Sequence, residues 1–500
     1  MRAIRKAGFV VLVLAGATVG GCSGNGAHSG SGGSATGGSA TGGSATGGIN
    51  PGTGGVGTGG KAATGGANAV GGSGGAASGG SVGAVGGGGA GGLVSASGGA
   101  SVGSGGAPPG SGGAGVAGRG SAGTNASGGG AGVAGSSGGR AGSSGGAGGA
   151  TSSPWCLPLS AHPMGLDWAK ALIDSRMRAN VALTWQYPDG LFLHGVYLAY
   201  KRLHNAPYLA YIKKWADANV AGGAPYNSLD SMQPTIVLDD MYRETMDAKY
   251  GTAPMAVAKR LETDYPKTSD GGFWHNTGAT NQLWGDGVFM DLPAYVSAAR
   301  LFTDDKAIDI ATNQLIIYDK HIAAPNNLHV HQWDGSAMKQ SCCEWCRAEG
   351  WYEMSLLMVL DETPTTHANY AALVAIVQRL AMGLKATQDP ATGRWWQVMD
   401  KPNDSANWLE TSCTAMHTYF LSKASQKGYI DAATYAPLAI KGFKGEMQMV
   451  SNADDVQVTN ICPGTNVLAT AADYYARPKA TNDQHGLGAF LLMYDQLVCQ

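Results

Sequence analysis

Two aspartates and two histidines, set among tryptophans, are the residues of this chain best suited to acid–base chemistry. Asp286 stands in Leu283-Trp284-Gly285-Asp286-Gly287, shortly after Gly271-Gly272-Phe273-Trp274-His275. A carboxyl walled by aromatic rings loses water, which raises its pKa and lets it hold a proton near neutrality. The flanking glycines let backbone and ligand come close. Asp230, in Ser228-Leu229-Asp230, also lies where a long loop runs into a helix. If both carboxyls face one cleft, their repulsion leaves one an acid and the other a base. The plainer reading of each aspartate is a helix N-cap, a position aspartate favours. His275 and His331 sit on different loops, each near a tryptophan and each followed by an aspartate. One histidine alone reads as a structural residue; two so placed read as site groups.

Arg347 lies in Trp345-Cys346-Arg347-Ala348-Glu349-Gly350-Trp351. Its plain role is an ion pair at a helix start. Its functional role is an anion clamp, in which the guanidinium grips a carboxylate in a fork and tryptophans stack on sugar faces. His329-Val330-His331 followed by Cys342-Cys343-x-x-Cys346 offers four zinc ligands. Against zinc, exported cysteine clusters more often form disulfides, and the spacing fits no standard zinc module. No metal is therefore expected.

These residues must be positioned by helices. Tyr370, Leu373, Val374, Val377, Leu380, Ala381 and Leu384 follow the three-and-four spacing of a buried helix face, and period-2 runs are scarce. Start and stop signals predict twelve helices, near 164–181, 188–204, 206–220, 233–249, 253–263, 284–302, 304–322, 347–361, 366–388, 406–424, 429–446 and 484–498. Pro293 is expected to kink the sixth or to mark its first regular turn. Short and long links alternate, and the long ones carry the chemistry-bearing residues. Twelve helices in up-down order make six hairpins. Closed into a ring, they form an (α/α)6 barrel with every long loop around one mouth. An open α-solenoid has the same local pattern, but no internal repeat supports it.

Length and composition divide the 500-residue chain into three parts. Arg2, Arg5 and Lys6 precede a short apolar run ending at Val19-Gly20-Gly21-Cys22, which reads as an export signal over 1–22. The run resembles a bacterial lipobox, which implies lipidation of Cys22 and a membrane anchor. Ser23 after it is similar to an outer-membrane sorting signal. The plain alternative is a secretory signal with an incidental cysteine. Residues 23–153 are Gly, Ser, Ala and Thr almost throughout and cannot bury enough apolar surface to offset their ordering entropy. They are expected to form a disordered tether with a reach of about 60–70 Å. Residues 154–500 are long enough for one large domain. Six of the 33 basic residues precede residue 154 and all 35 acidic ones follow it, so that domain carries 27 against 35, a formal −8. With no basic run, nucleic acid is not an expected partner. Seven cysteines follow Cys22, so at least one is free or pairs outside the chain; their pairing is not readable.

Nine pieces in order resemble unsaturated glycuronyl hydrolases, in particular glycoside hydrolase family 105, whose sister family 88 shares the fold. They are Trp185-x-Tyr187-x-x-Gly190, Ser228-Leu229-Asp230, the 271–275 and 283–287 pieces above, His331-Gln332-Trp333-Asp334, the 345–351 piece, Trp395-Trp396-Gln397-Val398, Asn407-Trp408-Leu409-Glu410-x-Ser412 and Asn482-Asp483-x-x-Gly486-Leu487-Gly488. The resemblance implies an (α/α)6 barrel, no cofactor, and a partner that is an unsaturated uronyl oligosaccharide left by a polysaccharide lyase, most readily a galacturonyl-rhamnose fragment of pectin. It implies an acid that protonates C4 of a vinyl ether while water adds at C5. It gives that task to Asp286, with Asp230 the second carboxylate and His275 and His331 contacting substrate. Arg347, Trp345 and Trp351, with Trp185, Trp284 and Trp333, become the wall that holds the sugar. The chain departs from the family pattern at Gly285, Gln332 and Ser228 and in the cysteine cluster. Two other readings stand beside this one: a conventional inverting glycosidase using Asp230 and Asp286 as base and acid, and a tethered glycan-binding lipoprotein without chemistry.

Overall fold

The computed structural model describes residues 153–302, 306–451 and 454–499. The export signal, Cys22 and the tether up to residue 152 lie outside the described residues. Helices α1 (Trp168–Arg178), α3 (Ala206–Ala218), α5 (Thr252–Thr263), α7 (Lys306–Ile322), α9 (Tyr370–Thr387) and α11 (Ala432–Met447) alternate along the chain with α2 (Tyr187–Leu203), α4 (Thr235–Thr245), α6 (Gly287–Phe302), α8 (Cys346–Glu362) and α10 (Thr411–Gln426). A short α12 (Ala471–Tyr475), absent from the sequence expectation, precedes α13 (Gln484–Leu497). The second set, with α13, forms the inner ring: α2 packs on α4, α4 on α6, α6 on α8, α8 on α10, α10 on α13, and α13 back on α2. That last contact closes the barrel and rules out the open solenoid.

Closure depends on side-chain size where the first and last inner helices meet. A Cβ on Gly195 would come within 2.7 Å of Leu491, and one on Gly488 within 2.5 Å of Leu191. Each glycine admits the other helix's leucine, so α2 and α13 approach along a shared seam. Inner helices are buried nearly all round, as α8 and α10 show, whereas α3 and α5 bury one stripe only. Pro293 lies inside α6 and does not end it.

The helices begin later than the sequence pattern suggested wherever a mouth loop borrows the preceding residues. Residues 284 and 409–410, expected in helices, pair instead as strands β1 (Gln282–Trp284) and β5 (Leu409–Glu410). β1 pairs antiparallel with β2 (Gln332–Asp334), which pairs with β3 (Lys339–Gln340); β5 pairs with β4 (Trp395–Trp396). The long loops contact one another in sequence around the ring. Ser228 bridges Asn276, β1 pairs β2, Trp345 bridges Val398, and Gln397 Nε2 donates to the Tyr474 carbonyl. All long links therefore gather at one end, where the inner helices have their N-termini. A small apolar cluster of Cys343, Trp345, Ala348, Val398, Trp408, Cys462 and Tyr474 packs these loops together.

Disulfides join Cys156 to Cys499, Cys342 to Cys343, and Cys346 to Cys413, leaving the Cys462 thiol buried and unpaired. This accounts for the odd count and removes the zinc alternative, because its three cysteines are oxidised. The two histidines of that reading are engaged elsewhere: His329 lies between Asp319 at 2.9 Å and Glu349 at 3.3 Å, and His331 meets the Tyr474 hydroxyl.

Candidate active site

Asp286 occupies the last loop position before α6, with its side chain 10% exposed. Its Oδ2 lies 3.3 Å from Nε2 of His331, and neither atom has another partner. His331 is wholly buried and fixed on three sides. Its Nδ1 meets the Tyr474 hydroxyl at 2.6 Å, its ring packs on Trp345 at 4.5 Å, and its carbonyl accepts the Gly285 amide at 2.8 Å. The same backbone link that sets β2 beside β1 thus brings His331 to Asp286.

Asp230 stands in a single 3-10 turn, Leu229–Ser231, whose Ser228 hydroxyl accepts the Asp230 amide. Its side chain is 37% exposed and lies 3.7 Å from Nε2 of His275. His275 stacks face to face on Trp284, with centroids 4.2 Å apart and planes 5° from parallel, and its Nδ1 is buried without a partner. Each aspartate therefore faces one histidine, and Trp284 touches both imidazoles, the second edge-on at 5.8 Å.

The two carboxyls are biased in opposite directions. Loss of water raises the pKa of Asp230, the charge of Asp286 adds to this, and His275 opposes it. Burial also pushes Asp286 up, but His331, and more weakly His275, outweigh it and hold the carboxyl below its ordinary value. This corrects the expectation that aromatic surroundings raise Asp286. The rings are there, but His331, His275 and a backbone amide together favour the ionised form by more than lost water disfavours it.

The other expected site residues divide. Trp284 and Trp185 stay partly open, Trp185 stacked on Trp215 at 5.5 Å and bonded through Nε1 to the Ser231 carbonyl. Trp345 and Trp351 are 1% exposed and form a layer behind the mouth, Trp351 stacked on Phe289 at 4.6 Å. Trp333 points away: in β2 it alternates with Gln332 and lies over His321 of α7 at 3.9 Å, so it packs the sheet to the outer helices. Arg347 is also not the open fork expected of it. It is wholly buried under Trp345, and its Nη atoms donate to the carbonyls of Cys462 and Pro463 and to Ser412, leaving only Nε unpartnered. It ties the start of α8 to the Cys462–Pro463 loop.

Sequence reasoning passed over two groups. Tyr474, on α12, holds His331; the Thr470-x-x-Asp473 capping box that starts this short helix was the available signal. Tyr187, at the start of α2, is half-buried beside Trp351 and His485, and burial followed by the charge of Asp230 raises its pKa. Its signal was the Trp-x-Tyr-x-x-Gly spacing, noted without a role.

The chain is similar to known proteins in sequence and in fold. Residues 168–498 match Glycosyl Hydrolase Family 88. The chain is 23% identical over 301 residues to "Unsaturated rhamnogalacturonyl hydrolase YesR" of Bacillus subtilis, covering 59% of this chain and 84% of that one. A Clostridium (C. acetobutylicum) glycoside hydrolase from family 105 superposes with a TM-score of 0.63 at 26% identity, covering 66% of this chain and 99% of the other. A possible family 105 member from Klebsiella pneumoniae superposes at 0.60 with 20% identity, covering 68% and 97%. The chain belongs to glycosyl hydrolase family 88 and is a glycoside hydrolase of the unsaturated glycuronyl hydrolase type.

Proposed function

We propose that this enzyme removes a 4,5-unsaturated uronic acid from the non-reducing end of lyase-generated oligosaccharides, with unsaturated galacturonyl-rhamnose from pectin as its preferred substrate. One observation carries the reading: two carboxyls of opposite bias face one mouth, each beside a histidine. The inner helices also direct their N-termini to that mouth, which gives a chain of net negative charge a local attraction for a uronate. Similarity to the Bacillus subtilis unsaturated rhamnogalacturonyl hydrolase supports the rhamnose-linked substrate.

Vinyl-ether hydration needs one proton delivered to C4 and one taken from the water that adds to C5. The hemiketal at C5 then opens and the leaving sugar departs from C1. Asp286 delivers the first proton and, left ionised, takes the second. The uronate's own negative charge, with the water it displaces, pushes Asp286 toward the protonated form on binding. His331 then stabilises the carboxylate that forms as C4 is protonated. Trp284 offers a ring face to the sugar.

The test follows absorbance of the conjugated double bond alongside release of the second sugar. Loss of the double bond accompanies or precedes release in hydration, whereas an ordinary glycosidase releases sugar first. Asp286→Asn is expected to lower the rate by about 10²–10⁴ with the fold retained by circular dichroism; undiminished decay would remove Asp286 from its role. Export and a lipid anchor at Cys22 are part of the same proposal. Cys22→Ser should move the enzyme from the membrane to the soluble fraction, and unchanged fractionation would refute the anchor.

A further inference from the structure

We infer that Gln332 determines which leaving sugar the mouth accepts; this rests on the hydrolase reading above. In the β1–β2 register Gln332 stands opposite Trp284, so both side chains share one sheet face, while Leu283 and Trp333 share the other. Directly opposed side chains on one face have Cβ atoms about 4.5–5.5 Å apart. On the far side of Gln332, Ser341 donates its amide to the Gln332 carbonyl at 2.8 Å and accepts the Gln332 amide on its hydroxyl at 3.1 Å. Trp284, Gln332 and Ser341 thus form a row across the sheet: a ring, an amide and a hydroxyl.

Both backbone groups of Gln332 are occupied in that row, but its side-chain amide has no protein partner among the described residues. The residue is nevertheless only 9% exposed. The amide is not fully buried: the small surface that Gln332 keeps includes it, and there a ligand can supply both a donor and an acceptor. Its sequence neighbour His331 touches Asp286, whereas Asp334, two residues on, leads into the exposed turn at Ser336 and Ala337. Gln332 therefore lies one step outward from the reacting carboxyl. A uronic acid seated at Asp286 with its leaving sugar directed outward brings that second ring to this row. The chemistry that fits is a pyranose with adjacent free hydroxyls, one accepting from the amide NH2 and one donating to its carbonyl, with a ring face against Trp284.

The experiment compares the wild type with Gln332→Leu, similar in size without the amide, and with Gln332→Ala. Two substrates are used: unsaturated galacturonyl-rhamnose, and the methyl glycoside of the same unsaturated uronic acid, which lacks the second ring. Loss of one or two hydrogen bonds is expected to lower kcat/KM for the disaccharide by about tenfold or more. On the methyl glycoside both variants should stay within about twofold of the wild type. Equal losses on both substrates would make Gln332 a structural residue and overturn the inference, as would no loss on either. If the wild type turns over neither substrate, the hydrolase reading fails and this one with it.

Discussion

Replacing His331 by glutamine tests the electrostatic assignment of Asp286. The imidazole lies 3.3 Å from the carboxylate and is the largest influence holding its pKa below the ordinary value. Glutamine keeps a polar group for the Tyr474 hydroxyl, which meets Nδ1 at 2.6 Å. A hydrogen bond to a charged group contributes about 1.5–3 kcal/mol, and the long contact puts this one at the lower end. Its loss therefore raises the Asp286 pKa. The sign follows from the role. A proton donor works while protonated, so kcat/KM falls as pH rises through the donor's pKa in the free enzyme. A depressed pKa sets that fall at acid pH in the wild type, and His331→Gln moves the limb upward by about one pH unit, the equivalent of about 1.5 kcal/mol at about 1.4 kcal/mol per unit.

The assay is the pH dependence of kcat/KM, read from decay of the double bond. The position of the alkaline limb is the measurement, because its height also reflects any lost substrate contact. His275→Gln is the control, since that imidazole faces Asp230 at 3.7 Å. A limb that stays in place in His331→Gln but moves upward in His275→Gln would make Asp230 the proton donor and refute the assignment to Asp286.

Two further predictions concern stability. His417 Nδ1 meets Glu353 Oε2 at 2.7 Å in the barrel core; burial holds the imidazole down to about 4 and the carboxyl well above its ordinary range, which makes this a neutral pair. Glu353→Gln should then change thermal stability by less than about 1 kcal/mol, while Glu353→Ala costs about 2–4 kcal/mol through a cavity and an unpaired imidazole; equal losses would indicate an ionic pair. Unfolded, the pair holds one proton between about pH 4.5 and 6.5, and folded it also holds one, so the two shifts cancel there; in a chemical-denaturation series the pair's contribution should fall as pH rises above 6.5, where only the folded state keeps the Glu353 proton. The Cys156–Cys499 disulfide closes a loop with a sequence separation of 343, so Cys156→Ser with Cys499→Ser should lower stability by about 3–5 kcal/mol at unchanged kcat; a loss of kcat would mean that the chain ends help to shape the distant mouth.

The helices were legible because their signal is local. Tyr370 to Leu384 repeats one apolar face over four turns, and the alternation of link lengths is visible without any contact being known. Ring closure was only a choice between two arrangements, because the Gly195–Leu491 and Gly488–Leu191 contacts join residues nearly three hundred positions apart. In the site, residue types were legible and directions were not. Trp284 and Trp333 are alike in sequence, each shortly before an aspartate, but they stand opposite different residues in a sheet of three short strands. Period two then turns one toward the mouth and the other toward α7.

Arg347 and Asp286 carry the same lesson in electrostatic form. A guanidinium between two tryptophans suggested an open clamp, because sequence reveals a donor and not the acceptors that reach it. The carbonyls of Cys462 and Pro463 arrive from more than a hundred residues away and occupy its Nη atoms. Asp286 was expected to be protonated because its sequence neighbours are aromatic, yet its bias is set by His331, brought in across a strand pair. A pKa depends on the nearest charges in space, and a motif records only those nearest along the chain. The opposite bias of Asp230 and Asp286 is thus a property of loop pairing. Substitutions that shift the β1–β2 register should disturb it without touching either carboxyl.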